Sequence, residues 1–383
     1  MPATAYHDLA PRYVVEIGSA ELSEAIQPFI ARVEYESADG MADMAQVVIN
    51  NPDYKLQDLK VWQPGNEMSI WLGYGSQLTH IGRVILRRVR CNFPDGDMPS
   101  ITASGYTYDA KMMDTEPDKP KDRRFKDMKY SDIVAAVATR DYYYDKLEVD
   151  IDDTEDEPKN RHQKAGISDY QVIKGCANLT GYYLWIDGDE NGVWTLHFKK
   201  PENVLDAVDQ PDLTFRHNYG DLTSLFSFTP ELLIQGAKTK LQVQFKHPKT
   251  GKVVTQEVEE DLDSPDVAAT DDTSEVDAEH KTGTSIKIFF NDFSFTTETR
   301  KRFKTAAEAK AWAVAWFKSQ RDAFITGQGI TIGHDKLMAR QIHTLEGIGT
   351  TLSGRWYFSR VKHQLSESDG YMCTFNGRKQ DSA

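Results

Sequence analysis

Two stretches, one toward each end of the chain, are written in the same pattern. Gly82-Arg83-Val84-Ile85-Leu86-Arg87-Arg88-Val89-Arg90 and Gly354-Arg355-Trp356-Tyr357-Phe358-Ser359-Arg360-Val361-Lys362 both read Gly-Arg, three large apolar or aromatic residues, one spacer, Arg-Val and a base. Each follows an apolar-rich run, Met68–Gly73 or Gln341–Gly347, and each precedes an Asp-Gly turn, Asp95-Gly96 or Asp369-Gly370. The same hairpin logic therefore occurs twice, which points to an internal duplication of a β unit. The residues that define it are Gly82, Arg83, Arg88 and Val89 in the first copy and Gly354, Arg355, Arg360 and Val361 in the second. Unrelated β-meanders also share turn chemistry, so the pattern alone leaves coincidence open.

A duplicated unit must fit the length. At 383 residues the chain suggests roughly two or three domains. Its 45 basic and 59 acidic residues give a formal charge of −14. Such a surface repels a nucleic-acid backbone or an anionic membrane, yet it suits a wall past which DNA slides without sticking. Cys91, Cys176 and Cys373 are scattered and include no CxxC pair, as expected for reduced thiols and folding in a cytoplasm. Met1-Pro2-Ala3-Thr4-Ala5 lacks the basic and apolar parts of a secretion signal. No apolar run approaches the ~20 residues that cross a bilayer, so no membrane anchor is expected.

Residues 1–115 read as β. Arg12–Ile17, Phe29–Glu36, Met44–Asn50 and Ile101–Tyr106 join the first repeat to make six short strands, enough for a small barrel or sandwich. Residues 116–203 change character and form an inserted α+β unit. Ser131 is a candidate cap for a helix to Arg140, and Ser168 with Gln171 forms a capping box for a helix to Thr180, stopped by Gly181. Strands Tyr182–Ile186 and Val193–Phe198 flank a tight turn. β-structure returns over 204–254 and 284–383, which make the second β domain. Between them, 255–283 is acidic, nearly free of aromatics, and reads as a mobile loop. Within the second domain, Ile286–Phe290 reads as a strand, and Thr305-Ala306-Ala307-Glu308 opens a helix to about Ala323.

Few motifs carry chemistry. Asp187-Gly188-Asp189-Glu190-Asn191-Gly192 opens like a calcium loop, but the twelfth position is Phe198 instead of Glu and the flanks are strands, so it reads as a hairpin turn. Gly327-Gln328-Gly329-Ile330-Thr331-Ile332-Gly333 misses the dinucleotide fingerprint by one residue and follows a helix instead of opening one. His343 and His363 read as strand-surface residues. Acid pairs such as Asp152-Asp153 and Asp271-Asp272 keep a glycosidase arrangement open, although they lie on polar connectors where nothing raises a carboxyl pKa. No catalytic residue, cofactor or metal ligand stands out. The abundant aromatics fit either strand cores or contacts between subunits.

Taken in order, four stretches resemble the late control protein D family of contractile-phage tail hubs, whose fold also forms the hub of VgrG-type type VI secretion spikes. They are Pro64–Ile70 with Gly82-Arg83-Val84, Ser168–Ile173 with Gly181-Tyr182, the helix before Gly327, and Gly354–His363. The resemblance implies a mainly β fold of two similar small tube-type β-barrels with an inserted helix-and-hairpin domain. It also implies a structural role instead of an enzymatic one. A homotrimer would place six barrels in a ring, matching a sixfold tail tube on one face and a threefold central spike on the other. The tape-measure protein and other baseplate proteins would be neighbours, DNA would only pass through the channel, and the protein would reside in the virion baseplate after assembly in the host cytoplasm. The acidic stretch belongs to none of these patterns. The competing expectation is a tail-associated enzyme of β-rich fold that degrades carbohydrate or peptidoglycan.

Overall fold

The computed structural model describes residues 10–18, 24–63, 65–117, 120–143, 146–156, 158–232, 240–246, 253–259, 296–300 and 325–380. The first six strands are β1 (Pro11–Ile17), β2 (Ile30–Ala38), β3 (Met44–Asn50), β4 (Glu67–Tyr74), β5 (Gln77–Asn92) and β6 (Ser100–Tyr106). Their period-2 patterning does what it should. On β3, Ala45, Val47 and Ile49 are buried while Met44, Gln46, Val48 and Asn50 are not.

An α+β unit follows. It comprises helix α1 (Asp109–Met113), β7 (Arg124–Met128), helix α2 (Tyr130–Ala138), β8 (Leu147–Ile151), β9 (Lys159–His162), helix α3 (Asp169–Thr180), β10 (Tyr183–Gly188) and β11 (Trp194–Lys199). The expected capping box forms: Ser168 Oγ accepts the Gln171 amide at 3.3 Å and Gln171 Oε1 accepts the Ser168 amide at 3.0 Å. Gly181 ends α3 in the left-handed region at φ 77°. Ser131 does not cap α2. It lies inside the helix, where Thr154 Oγ1 accepts its amide at 3.1 Å, and Asp132 instead reaches back to the Lys129 amide at 2.9 Å. The unit has its own core, built on Tyr108, Val134, Ile173, Trp194 and Phe198.

The chain then adds β12 (Thr214–Arg216), β13 (Leu225–Leu232), β14 (Lys240–Lys246), β15 (Val253–Glu259), β16 (Thr296–Arg300), β17 (Ile325–Ile332), β18 (Gln341–Glu346), β19 (Gly354–Ser366) and β20 (Gly370–Lys379). Strands β15, β14 and β16 make a small sheet of their own. The start of the acidic stretch, Thr255–Glu259, is thus strand. The rest of that stretch, the strand expected at Ile286–Phe290 and the helix expected from Thr305 lie outside the described residues.

The remaining strands form one twelve-stranded sheet. Its first half runs β1-β4-β5-β6-β3-β2 in space and its second half β12-β18-β19-β20-β17-β13. Counted along the chain within each half, these are the same permutation. The irregularities coincide as well. The β5–β6 register shifts between Leu86 and Arg88, and the β19–β20 register between Phe358 and Arg360, so Arg87 and Ser359 are both bulged residues. The β2–β3 register shifts between Ile30 and Arg32, and the β13–β17 register between Leu225 and Ser227. The halves differ at two junctions: β1–β4 is antiparallel and β12–β18 parallel, and the β4–β5 register shifts between Ile70 and Trp71 whereas β18–β19 runs without a shift.

Two closed barrels were expected, and among the described residues neither half closes its ladder. The outer edge of β2 is taken by β19, from Arg360↔Ala38 to Ser366↔Arg32, and side chains bridge the gap to β1 instead. Tyr13 Oη donates to the Ile30 carbonyl at 2.8 Å, and the Val15 amide donates to Gln27 Oε1 at 3.2 Å. The seam of the second half holds one backbone bond, from the Ser224 amide to the Arg216 carbonyl at 2.9 Å. One apolar core runs through both halves, from Val33, Val47 and Met68 to Trp356, Phe358 and Phe375. Phe358 and Phe375 stack there at 4.1 Å.

Gly82 is dictated by this packing. A Cβ on it would lie 2.3 Å from the Tyr35 ring, which is held by a 3.3 Å hydrogen bond from its hydroxyl to Asp43. Replacing Gly82 by Ala is expected to lower stability by about 1–3 kcal/mol, read from a denaturant melt.

Candidate functional site

The repeat-defining residues lie on β5 and β19 and do not converge on a cleft. Gly82 and Gly354 share a place in the pattern but not a cause: Gly82 makes room for Tyr35, whereas Gly354 faces open space and sits at φ +123°. Arg83 ties the first half to the α+β unit. Its guanidinium donates to the Asp189 carbonyl at 3.1 Å, the Glu190 carbonyl at 2.8 Å and the Glu67 carboxylate at 2.7 Å. Arg355 is exposed, opposite Thr344. Val361 is fully buried and Val89 half-buried. Arg360 Nη2 meets Glu36 Oε1 at 2.7 Å, while Arg88 is exposed.

The Asp187–Gly192 segment is the β10–β11 turn. Asp189 Oδ1 accepts the amides of Asn191 and Val193 at 3.0 and 2.8 Å, and Gly192 takes φ +92°. Asp189 thus serves the turn itself, Asp187 meets the Trp185 and His197 side chains, and no group of residues suited to hold a metal ion occurs among the described residues.

The two halves meet along β2 and β19, and this junction is the candidate interface element. Its outward face is a charge ladder in which Glu34 and Glu36 on β2 oppose Arg360 and Lys362 on β19. Lys362 Nζ lies 3.1 Å from Glu34 Oε2. Its inward face carries Val33, Tyr35, Val361, His363 and Leu365, all buried. Beside it stands Arg340, in the left-handed region at φ 69° and 4% exposed. Arg340 Nη1 donates to the Ala38 carbonyl at 3.0 Å, and its guanidinium lies 3.8 Å from Asp39, 3.6 Å from Asp43 and 4.9 Å from the Trp185 ring. Trp185 in turn stacks on His197 at 4.5 Å. One cation thus joins the first half, the second half and the α+β unit. Sequence reading missed it because no local pattern marks a lone arginine as buried. The alternating Glu34/Glu36 and Arg360/Lys362 pairs were visible and complementary, and could have flagged the junction.

Burial pushes the Asp43 carboxyl up to about 7 despite the pull of Arg340. Burial likewise lifts Asp109 to about 6, although Thr107 Oγ1 donates to it at 2.6 Å. In the folded state Asp43 therefore keeps a proton that the unfolded chain loses near pH 4. Its contribution to stability is largest below that point and declines as pH rises toward 7.

Other titratable clusters are unsuited to turnover. Asp152 accepts the Lys200 amide at 2.8 Å and the Asn203 amide nitrogen at 2.9 Å; these bonds outweigh partial burial and hold its carboxyl below the usual range. Asp153 is held low by Lys129 at 2.9 Å. Neither can serve as a raised-pKa general acid. Asp271-Asp272 lies outside the described residues. His343 and His363 are buried, not on the strand surface, because the apolar face of the second half closes over them. Cys373 Sγ lies 3.3 Å from His363 Nδ1, yet burial pushes the thiol up to about 12 and the imidazole down to about 4. That is the reverse of a nucleophilic thiolate–imidazolium pair. A shallow surface hollow of about 360 Å³, lined by Arg124, Phe125, Lys126, Asn160, Arg161 and His162, holds no carboxylate.

Two measurements follow from this geometry. Replacing Arg340 by Met, which leaves the buried Asp43 and the half-buried Asp39 without their cation, is expected to cost ~3–5 kcal/mol. The loss should be larger at pH 8 than at pH 5, where Asp43 is protonated, and denaturant melts at the two pH values check it. In the folded single chain, before any assembly, only Cys91, the exposed thiol, should react promptly with an aromatic disulfide reagent, whereas all three cysteines should react after unfolding.

Comparison with known proteins places this architecture. The fold matches a tail protein from Neisseria meningitidis MC58 at a TM-score of 0.63 and 13% identity, covering 97% of both chains. It matches the 43 kDa tail protein of prophage MuSo2 from Shewanella oneidensis at 0.65 and 11% identity, covering 97% of this chain and 98% of that one. It also matches the E. coli c3393 protein, a component of the type VI secretion system with structural similarity to the T4 tail proteins gp27 and gp5, at 0.57 and 6% identity over 92% of this chain and 74% of that one. No curated protein matches the sequence. The chain thus has the fold of phage tail proteins, and because the family model described as Alg8 N-terminal domain matches residues 13–367, it belongs to that family.

Proposed function

We propose that the protein is a structural hub of a phage tail baseplate or a related contractile injection machine. In this reading three copies form a ring that joins a sixfold tail tube to a threefold spike. One observation carries it: the chain holds the same six-strand order twice, each time with bulges at matching places, within a fold shared with tail proteins. Two similar halves in one chain are what a threefold object needs in order to present six near-equivalent units. The repeat-defining residues act here as architecture, fixing strand register on β5 and β19.

The tube protein and the central spike are the direct partners, with the tape-measure protein and other baseplate proteins nearby. DNA passes through the ring without being gripped, which a formal charge of −14 favours. The protein performs no chemistry of its own and resides in the baseplate of the particle.

Native mass spectrometry and electron microscopy of the purified chain test this. The expected result is a trimer with a central hole, alone or on mixing with tube and spike proteins. A chain that stays monomeric at high concentration and binds neither partner would overturn the proposal.

A further inference from the structure

The β2–β19 junction is made inside one chain, and its counterpart in the repeat is left open. Under the correspondence of the two halves, β2 matches β13 and the Arg360–Ser366 end of β19 matches β5 from Arg88 onward. Among the described residues β13 is paired along one edge only, to β17. Strand β5 carries β6 as far as Asn92, but β4 only as far as Ile85, so among the described residues the other edge of Arg88–Asn92 has no strand. Burial follows pairing. Val33 to Ala38 are buried against β19, whereas most of Ser227–Leu232 and of Arg88–Phe93 are exposed.

We infer that the free edge of β13 in one copy pairs antiparallel with the Arg88–Asn92 end of β5 in the next copy. This rests on the trimeric reading above and repeats, between chains, the junction already built within one. The matched bulges set the register. Ile30 and Arg32 correspond to Leu225 and Ser227, and Leu86 and Arg88 to Phe358 and Arg360. Val89 then faces Leu232, Cys91 faces Pro230 and Phe93 faces Phe228, as Val361, His363 and Leu365 face Ser37, Tyr35 and Val33. On the other face, Arg88 and Arg90 meet Glu231, as Arg360 meets Glu36. Leu232 and Phe93 are 38% and 54% exposed in the single chain and would be covered. Pro230 offers no amide, and proline on an outer strand can simply repel partners. A merely guarded edge, however, has no reason to set Glu231 where Glu36 stands, with Arg88, Val89 and Arg90 where Arg360, Val361 and Lys362 stand.

Directly opposed residues of an antiparallel pair have Cα atoms about 4.5–5.5 Å apart, within reach of a disulfide. Pro230→Cys in the full chain, under mild oxidation, should therefore bond to the native Cys91 of the neighbouring copy and give covalent dimer and trimer but nothing larger. Two controls should stay uncrosslinked: Pro230→Cys with Cys91→Ser, and Thr229→Cys, whose thiol points to the opposite face. Independently, Arg88→Glu should weaken the trimer by about tenfold or more, and adding Glu231→Arg should restore it. A native trimer with no bond at this register, or with Arg88→Glu unchanged, overturns the strand pairing and leaves the hub standing. A chain that is monomeric with and without its partners overturns both. Crosslinked species beyond a trimer overturn the closed ring.

Discussion

The main-chain ladder between β2 and β19 is the contact on which the rest of the molecule depends. It joins residues some three hundred positions apart, turns two half-sheets into one, and lets a single core run beneath both. A sheet edge is a row of unsatisfied donors and acceptors, and giving β2 a partner from the far end of the chain resolves that edge without closing a barrel. The incomplete seam at β1 is the consequence, since a strand edge can be paired only once.

Polar groups at this junction serve placement more than stability. Glu34, Glu36 and Asp43 are buried, and each is matched by a cation from the other half of the chain. Replacing such pairs with apolar residues is often neutral or favourable, so energy is a poor explanation for them. What the charges add is register: sliding β19 by one residue would carry Arg360 and Lys362 to the face away from Glu34 and Glu36 and turn the apolar face outward. Arg340 extends the same logic to the α+β unit through Trp185, and Arg83 fixes that unit a second time through the β10–β11 turn.

Much of this was legible in the residues. The alternation on β3, the capping box at Ser168 and the Asn191-Gly192 turn are short-range signals, and each gave the element it indicates. The written likeness of Gly82–Arg90 and Gly354–Lys362 falls on strands at equivalent places in the two half-sheets, with the spacer as the bulge in each. What sequence could not supply was long-range. Whether an edge closes on its own half or on the other is decided by competing partners that look alike locally. Burial of His343 and His363 likewise depended on which face of the strand met the core, and polarity misled there. Ser131 misled differently: the helix starts before it, with Lys129 at the cap position, and Asp132 at the third helical position bonds back to the Lys129 amide. Arg340 had no signal at all.

The separation of β2 from its partner has a consequence during synthesis. The Arg32–Ala38 edge leaves the ribosome some three hundred residues ahead of Arg360–Ser366. At bacterial elongation rates, on the order of ten residues per second, β2 waits for tens of seconds with its edge open. Glu34 and Glu36 on that strand are then solvated like charges, which hold newly made chains apart until the basic end of β19 emerges to neutralise them. The residues that lock the finished molecule thus also keep the nascent one from aggregating.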